Sequence, residues 1–383
     1  MTNKGFEAKS SPARTCLCGL LALLSSLIPV LLFILLFFGL TPFHCFAADS
    51  FSMDGGLFVS VRDVGQGLAV YCECDGHAML YDGGGRDTSA ELVAFLRERG
   101  ISHLDLAVVS HYDDDHVAGV IGALHVFGCD LILAPDYIGN TTIYTSFRQL
   151  VEEKGIPCEA PAVGNVYPLG TARIETLGPE GFLAEEENDR CPALRVCYGD
   201  TALILCGDAQ AAEEETIARG WMTPRADVYV VNHHGSASSS TSAFLDRVDP
   251  AYAVISCGEG NDYGHPAASV MERLGGRGIR IWRTDKQGDI SFVMDGEVVR
   301  FSCESTTDLS PGVPIVGTDG EKTGTDTGED LKVRYICNFK TFIFHRPDCE
   351  MVSKMSEKNK IYSPESRETL LSLGYKACGI CRP

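Results

Sequence analysis

Positive charge is what this chain lacks: 32 Lys and Arg stand against 52 Asp and Glu over 383 residues, a formal charge of −20. Segments 1–50, 304–332 and 333–383 carry +1, −5 and +4, so residues 51–303 hold a full −20. That stretch is excluded from holding polyanions by bulk electrostatics, and only the C-terminal tail has the sign for it. Internal repeats are absent as well. With 45% hydrophobic and 22% charged residues and a mean hydropathy of +0.03, a disordered, collagen-like or multi-span membrane chain is excluded. The length allows two or three domains.

One long apolar run is present, at about 16–43, behind Lys4, Lys9 and Arg14 and ahead of Cys45-Phe46-Ala47, which resembles a small-residue cleavage site. The run exceeds the ~20 residues that span a bilayer. Residues 1–48 are therefore expected to be a cleaved signal peptide or an uncleaved membrane anchor. Either places the remainder extracellularly or on the cell surface, touching the membrane only through this segment. Three of the 16 cysteines fall here, and the odd number left forbids a complete disulfide set. Cys72, Cys74, Cys129, Cys197, Cys206 and Cys257 lie mostly in apolar strand-like runs and read as buried thiols. No protein partner can be inferred.

From residue 57 onward, short strands with Gly/Asp turns alternate with helices. Segments 57–62, 69–74, 78–81 and 106–110 read as strands, and 87–98 and 116–124 as helices. A second strand series follows at 173–177, 194–198, 202–206, 228–232, 252–256, 279–283 and 290–294. The pattern predicts an α/β fold, an αββα sandwich with two sheets face to face and helices outside. The sandwich is expected over 54–302. A Thr/Gly/Asp/Pro-rich linker follows at 303–332, and then a separate small module at 333–383.

The densest set of metal-ligand types is His111-Tyr112-Asp113-Asp114-Asp115-His116, directly after the strand-like LAVVS. Three other apolar strands end comparably: Tyr81-Asp82 before three glycines, Leu205-Cys206-Gly207-Asp208, and Val231-Asn232-His233-His234-Gly235-Ser236. A site on the edge of a sheet sandwich requires such strand ends.

This order, HxDxDH, then GD, then HHGS, resembles the metallo-β-lactamase superfamily. The segments Asp63-Val64-Gly65-Gln66-Gly67, Asn261-Asp262-Tyr263-Gly264-His265-Pro266 and Arg283-Thr284-Asp285 with Gly288 narrow the resemblance. They are similar to the soluble extracellular domain of competence DNA-uptake channels of the ComEC type and its stand-alone relatives. The resemblance implies that His111 and Asp113 bind one divalent metal and that Asp115 and His116 bind a second. It implies further that Asp208 bridges the two and that His233 or His234 completes the second site, His233 being favoured. Asp115 is expected at the reaction centre, Asp82 behind it orienting ligands, and His265 beside the substrate as phosphate contact or proton donor. Gly65 and Gly67 would let their loop turn tightly beside the metals. The chain departs from the superfamily in having Asp113 at a usual histidine position. Its only histidine between His116 and Asp208 is His125, too early to serve as the ligand expected before Asp208. Competence-type relatives show Asn and Ser there, and this chain has Asn188-Asp189-Arg190-Cys191. An oxygen-rich first site allows Mn²⁺ alongside Zn²⁺, with Cys191 as a possible soft ligand.

In the tail, His345-x3-Cys349 and Cys378-x2-Cys381 have the spacing of one structural Zn²⁺. The stretch resembles the metal-binding module of the Ada DNA-repair proteins, with His345 in place of a cysteine. That implies a zinc-stapled module in contact with nucleic acid or another polyanion. The whole reads as an exported two-metal hydrolase of phosphodiesters, with DNA or nucleotides as substrate. The alternatives are a lactone or ester hydrolase on the same fold, and a non-catalytic surface nucleic-acid-binding protein.

Overall fold

A computed structural model describes residues 55–181 and 184–313 and, toward the C-terminus, 335–338, 341, 343–356, 360–363, 367–372 and 375–383. The expected signal or anchor at 1–48 lies outside the described residues. Among those described, no helix is long and apolar enough to cross a membrane.

Two sheets form the sandwich. The first runs, in spatial order, β15 (Val299–Phe301), β14 (Ile290–Met294), β1 (Leu57–Val61), β2 (Val70–Cys74), β3 (His77–Tyr81), β4 (His103–Val108), β5 (Gly128–Leu133) and β6 (Cys158–Glu159). The second runs β13 (Arg280–Arg283), β12 (Tyr252–Ile255), β11 (Val228–Val230), β10 (Thr201–Leu205), β9 (Ala193–Tyr198), β8 (Ala172–Gly178) and β7 (Val166–Leu169). Their strands carry consecutive rather than alternating apolar residues because both faces are covered. In β10, Leu203 and Leu205 point into the layer between the sheets with Val59, Met79, Val108 and Phe292. Ile204 and Cys206 point the other way, against Ile217, Phe244, Leu245 and Val270. These last come from the helices Ala211–Arg219, Ser242–Val248 and Ala268–Gly276, which cover the second sheet. On the far side, Phe95 of the helix Ser89–Glu98 meets Tyr71 of β2 edge-on, with ring centroids 5.4 Å apart. The result is the αββα sandwich read from the sequence.

Strand direction places the site. β3, β4 and β5 are parallel, and so are β10, β11, β12 and β13. Their C-terminal ends therefore open on one edge, where Asp82, His111, Asp208 and His234 follow. The helix Asp114–Val126 is drawn onto this edge by Gly83, whose N–H donates to the His116 carbonyl (2.8 Å). A Cβ on Gly119 would fall 1.7 Å from the Gly83 oxygen, so only glycine permits this approach.

Two expectations change. The strand expected at 228–232 stops at Val230, because His233 and His234 sit in a 3-10 turn with left-handed φ of 51° and 55°. The expected linker does not begin at 303: Thr306 N–H donates to Ile281 O (2.8 Å) and Gly312 N–H to Pro266 O (2.8 Å). Residues 303–313 are thus bonded to the sandwich, and 314–332 lie outside the described residues.

The tail forms its own sheet, ordered β18 (Lys360–Ser363), β16 (Tyr335–Asn338), β17 (Ile343–His345) and β19 (Lys376–Ala377). Its buried Cys337, Phe344, Leu370 and Tyr375 pack against Ala90 and Ala94 of the helix Ser89–Glu98. The module is seated on the sandwich.

Candidate metal centres

Two imidazoles define the main cluster. His116 Nδ1 lies 2.9 Å from Asp82 Oδ2, and His234 Nδ1 lies 3.0 Å from the Ser256 carbonyl. Both partners only accept, so each Nδ1 carries a proton, and the neutral form of each ring turns an Nε2 lone pair away from it. Those lone pairs face each other at 3.3 Å. Asp208 Oδ1 joins them at 3.4 Å from His116 Nε2 and 3.5 Å from His234 Nε2. These contacts exceed a good hydrogen bond, and Asp208 Oδ1 is buried with no hydrogen-bond donor among the described residues. Three lone-pair donors converging in a buried space repel one another unless a cation lies between them. Ligands about 2.0–2.1 Å from a tetrahedral zinc stand about 3.3–3.4 Å apart, which is the spacing found here. Asp115 Oδ2, 3.9 Å from both Nε2 atoms, forms a candidate ligand group with the two rings.

The electrostatics show the same demand for positive charge. Burial disfavours charge on His116, but Asp208 and Asp82 outweigh it and hold its pKa well above the usual imidazole value. His234 is raised against burial by Asp208. Burial pushes the Asp208 carboxyl up, and His116 and His234 more than reverse that, leaving it well below the usual range.

A second group shares His116 and Asp208 with His111, their ligand atoms all lying within 4.8 Å of one another. Asp113 meets His111 at the rim (Oδ2 to Nε2 3.5 Å), with 56% of its side chain exposed. The hydrogen bond from His111 lowers its pKa. His233, the histidine favoured by the resemblance, lies 3.6 Å from Asp208 Oδ2 and belongs to neither group. The left-handed turn points His234 inward instead. Cys191 Sγ lies 3.8 Å from His111 Nδ1, the ring edge turned away from Asp113, and is in neither group. It sits as a buried thiol, its pKa driven well up by burial and by Asp208.

Ser110 was not singled out from the sequence. Its N–H (2.7 Å) and hydroxyl (2.6 Å) both donate to Asp82, and the hydroxyl lies 3.0 Å from His111 Nδ1. Its signal was its place between an apolar strand and the first histidine. Glu214 fixes the other ligand loop, accepting from Asn232 Nδ2 (2.9 Å), Ser240 N (2.5 Å) and Thr241 N (2.7 Å). In the same loop, Ser239 donates to Asn232 O (2.8 Å) and Ser238 Oγ lies 3.4 Å from His233 Nδ1.

His265 stands beside the cluster, its ring 5.8 Å from that of His233. Gly258 N–H donates to Gln66 Oε1 (3.3 Å), which orients the amide so that Nε2 donates to His265 Nδ1 (3.3 Å). The ring proton is then on His265 Nε2. Burial, then His234 and His233, push its pKa down to about 4, so at neutral pH it is an uncharged imidazole and not the imidazolium acid. Tyr263, 71% exposed, stacks on it with centroids 5.5 Å apart. Gly67 abuts Asp115, whose carbonyl would lie 2.5 Å from an added Cβ.

In the tail, His345, Cys349, Cys378 and Cys381 bring their ligand atoms within 4.8 Å of one another. Backbone N–H groups of Arg346 and Ile380 donate to Cys381 and Cys378 sulfurs, both at 3.4 Å. Such bonds suit thiolates.

A family model described as the metallo-β-lactamase superfamily matches residues 62–259. Competence protein ComA of Neisseria gonorrhoeae is 31% identical over 238 residues, covering 61% of this chain and 32% of that protein. ComE operon protein 3 of Bacillus subtilis is 27% identical over 270 residues, covering 66% and 35%. Recombination protein 2 of Haemophilus influenzae is 31% identical over 221 residues, covering 56% and 26%. The chain thus spans about a third or less of the length of these curated relatives.

Proposed function

This chain belongs to the metallo-β-lactamase superfamily, and from that premise we propose that it is an exported hydrolase of phosphodiester bonds, acting on DNA or nucleotides with two divalent cations, zinc or manganese. The fold is that of a metal-dependent hydrolase. The observation that carries the reading is the buried triangle of His116, His234 and Asp208, whose donor atoms need a cation between them. His111 and Asp113 on one side and Asp115 on the other complete the donor set. A cation pair held there supplies an acidified water and neutralises charge developing on a phosphoryl oxygen. The chain supplies the rest. Asp82 and Ser256 O fix the ligand tautomers, and a neutral His265 offers its Nε2–H to a phosphate oxygen.

Similarity to competence and recombination proteins favours nucleic acid as substrate. Exposed Tyr263 beside His265 offers a base a stacking face. A second reading, a small lactone or ester as substrate, is favoured by the −20 charge of residues 51–303. The tail cluster would hold one structural Zn²⁺, and the tail's +4 would bring polyanions to the site. The test is turnover by the full chain, loaded with Zn²⁺ or Mn²⁺, of single-stranded DNA, bis-p-nitrophenyl phosphate and a lactone. Diester cleavage abolished by chelator is expected. Lactone turnover without diester turnover would establish the second reading, and failure to take up metal would leave only a binding protein.

A further inference from the structure

The stretch 303–313 was expected to be free linker, yet it runs over β13 and ends against the loop that presents His265. Trp282 Nε1 donates to Cys303 O (3.0 Å), Gln287 Nε2 to Glu304 O (2.8 Å) and Thr306 N to Ile281 O (2.8 Å). Arg283, 1% exposed, divides its guanidinium between Asp285 (2.9 and 2.7 Å) and the Ser310 carbonyl (2.5 Å). Gly312 N–H then donates to Pro266 O (2.8 Å). At this point a Cβ on residue 312 would lie 2.1 Å from His265 O and 2.8 Å from the Gly264 carbonyl carbon, so backbone lies directly on backbone. Asn261 clasps the same loop: Oδ1 accepts from His265 N (2.9 Å) and Nδ2 donates to His265 O (2.7 Å). The strap adds little apolar burial, Leu309 being 48% and Val313 74% exposed. Its contacts are mostly polar and converge on the peptide that carries the imidazole.

We propose that residues 303–313 are a working part of the active site, and that Gly312 is a positioning residue acting through His265. The strap and Asn261 together grip the His265–Pro266 peptide. That grip fixes the His265 ring against Gln66 and holds Tyr263 stacked on it. A substrate phosphate needs the His265 donor placed to a fraction of an ångström, and a loop held by Asn261 alone would not provide this.

The proposal rests on the hydrolase reading, and its test separates the two. In the full chain loaded with metal, Gly312→Val should lower kcat/KM for methyl p-nitrophenyl phosphate by about tenfold or more. Metal content should stay unchanged, and amide exchange should speed up at Gly264, His265 and Ala267. On a His265→Ala background, Gly312→Val should cost nothing further, because both changes remove one positioned group. A loss that adds in full to that of His265→Ala would overturn the proposal, and so would activity within twofold of wild type. If the wild-type chain cleaves no diester, the hydrolase reading fails by itself, and exchange still decides the strap: protection in Gly312→Val equal to wild type sinks it.

Discussion

A ring nitrogen serves a metal when it is itself unprotonated, and for His116 and His234 the acceptors Asp82 and Ser256 O keep the neutral ring's proton on the other nitrogen. Asp208→Ala and His234→Ala should therefore each abolish bound metal, measured by elemental analysis, and reduce diester turnover by orders of magnitude. His233→Ala should retain the metal, since His233 reaches only the second oxygen of Asp208. Asp82→Asn should lower metal affinity by about 10–100-fold, because a neutral amide holds the Nδ1–H of His116 less firmly. A different buried carboxyl sets a pH dependence of stability. Glu213 Oε1 has no hydrogen-bond partner among the described residues. Burial, then Asp189 and Glu180, raise its pKa to about 8. A carboxyl with a raised folded pKa contributes stability below its unfolded pKa of 4.5 and loses it as pH rises through about 8. Glu213→Gln should match wild type in Tm near pH 5 and exceed it at pH 9 by about 5 °C or more. Parallel melting curves for the two proteins at pH 9 would show that the carboxyl relaxes without cost.

At the scale of elements, legibility followed burial. Strands covered on both faces, such as Leu203-Ile204-Leu205 in β10, form unbroken apolar runs between turn residues, and their ends mark the ligands. Among edge elements β13 keeps such a signal, its last three residues being buried, whereas β6 and β7 do not. β6 has two residues, and β7 is an edge strand that contains Pro168, tolerated only where a ladder bond is not needed. The ligand elements were legible wherever a strand runs straight into its ligand, as β3 does into Asp82. The choice between His233 and His234 was not, because strand alternation ends at Val230 and a left-handed turn decides which ring faces inward. Cys191, at the entry to β9, stood where a ligand was conceivable, but it lies behind the His111 ring. Cys191→Ser should accordingly leave the Zn²⁺ to Mn²⁺ preference unchanged in competition titrations. A shift toward Mn²⁺ would restore the thiolate as a ligand.

For the whole molecule, the boundary that matters lies after residue 313 rather than before 303, since the strap belongs to the sandwich. A chain ending at 302 loses the Gly312 bond to Pro266 and the Ser310 acceptor of Arg283, leaving a buried guanidinium one partner short. A chain ending at 313 keeps both and loses only the seated tail, exposing Ala90 and Ala94. On a small diester, the longer chain should therefore match the full protein while the shorter one falls well below it. Long single-stranded DNA should separate the longer chain from the full protein. The tail packs on the helix Ser89–Glu98 through its apolar side chains, and Arg86 and Thr88 just before that helix line the same cleft as Asp115. Removing the tail should raise the apparent KM for DNA, and the difference should shrink with added salt because phosphate contacts release counterions. The tail itself should unfold when its ion is stripped, since two small clusters, with eight buried side chains among the described residues, cannot hold so short a segment and a structural zinc contributes about 10 kcal/mol or more. Chelator treatment should thus reproduce the DNA defect of the chain ending at 313 even after the hydrolase site is reloaded with Mn²⁺. Equal KM for DNA with and without residues 314–383 would confine the tail to a structural role.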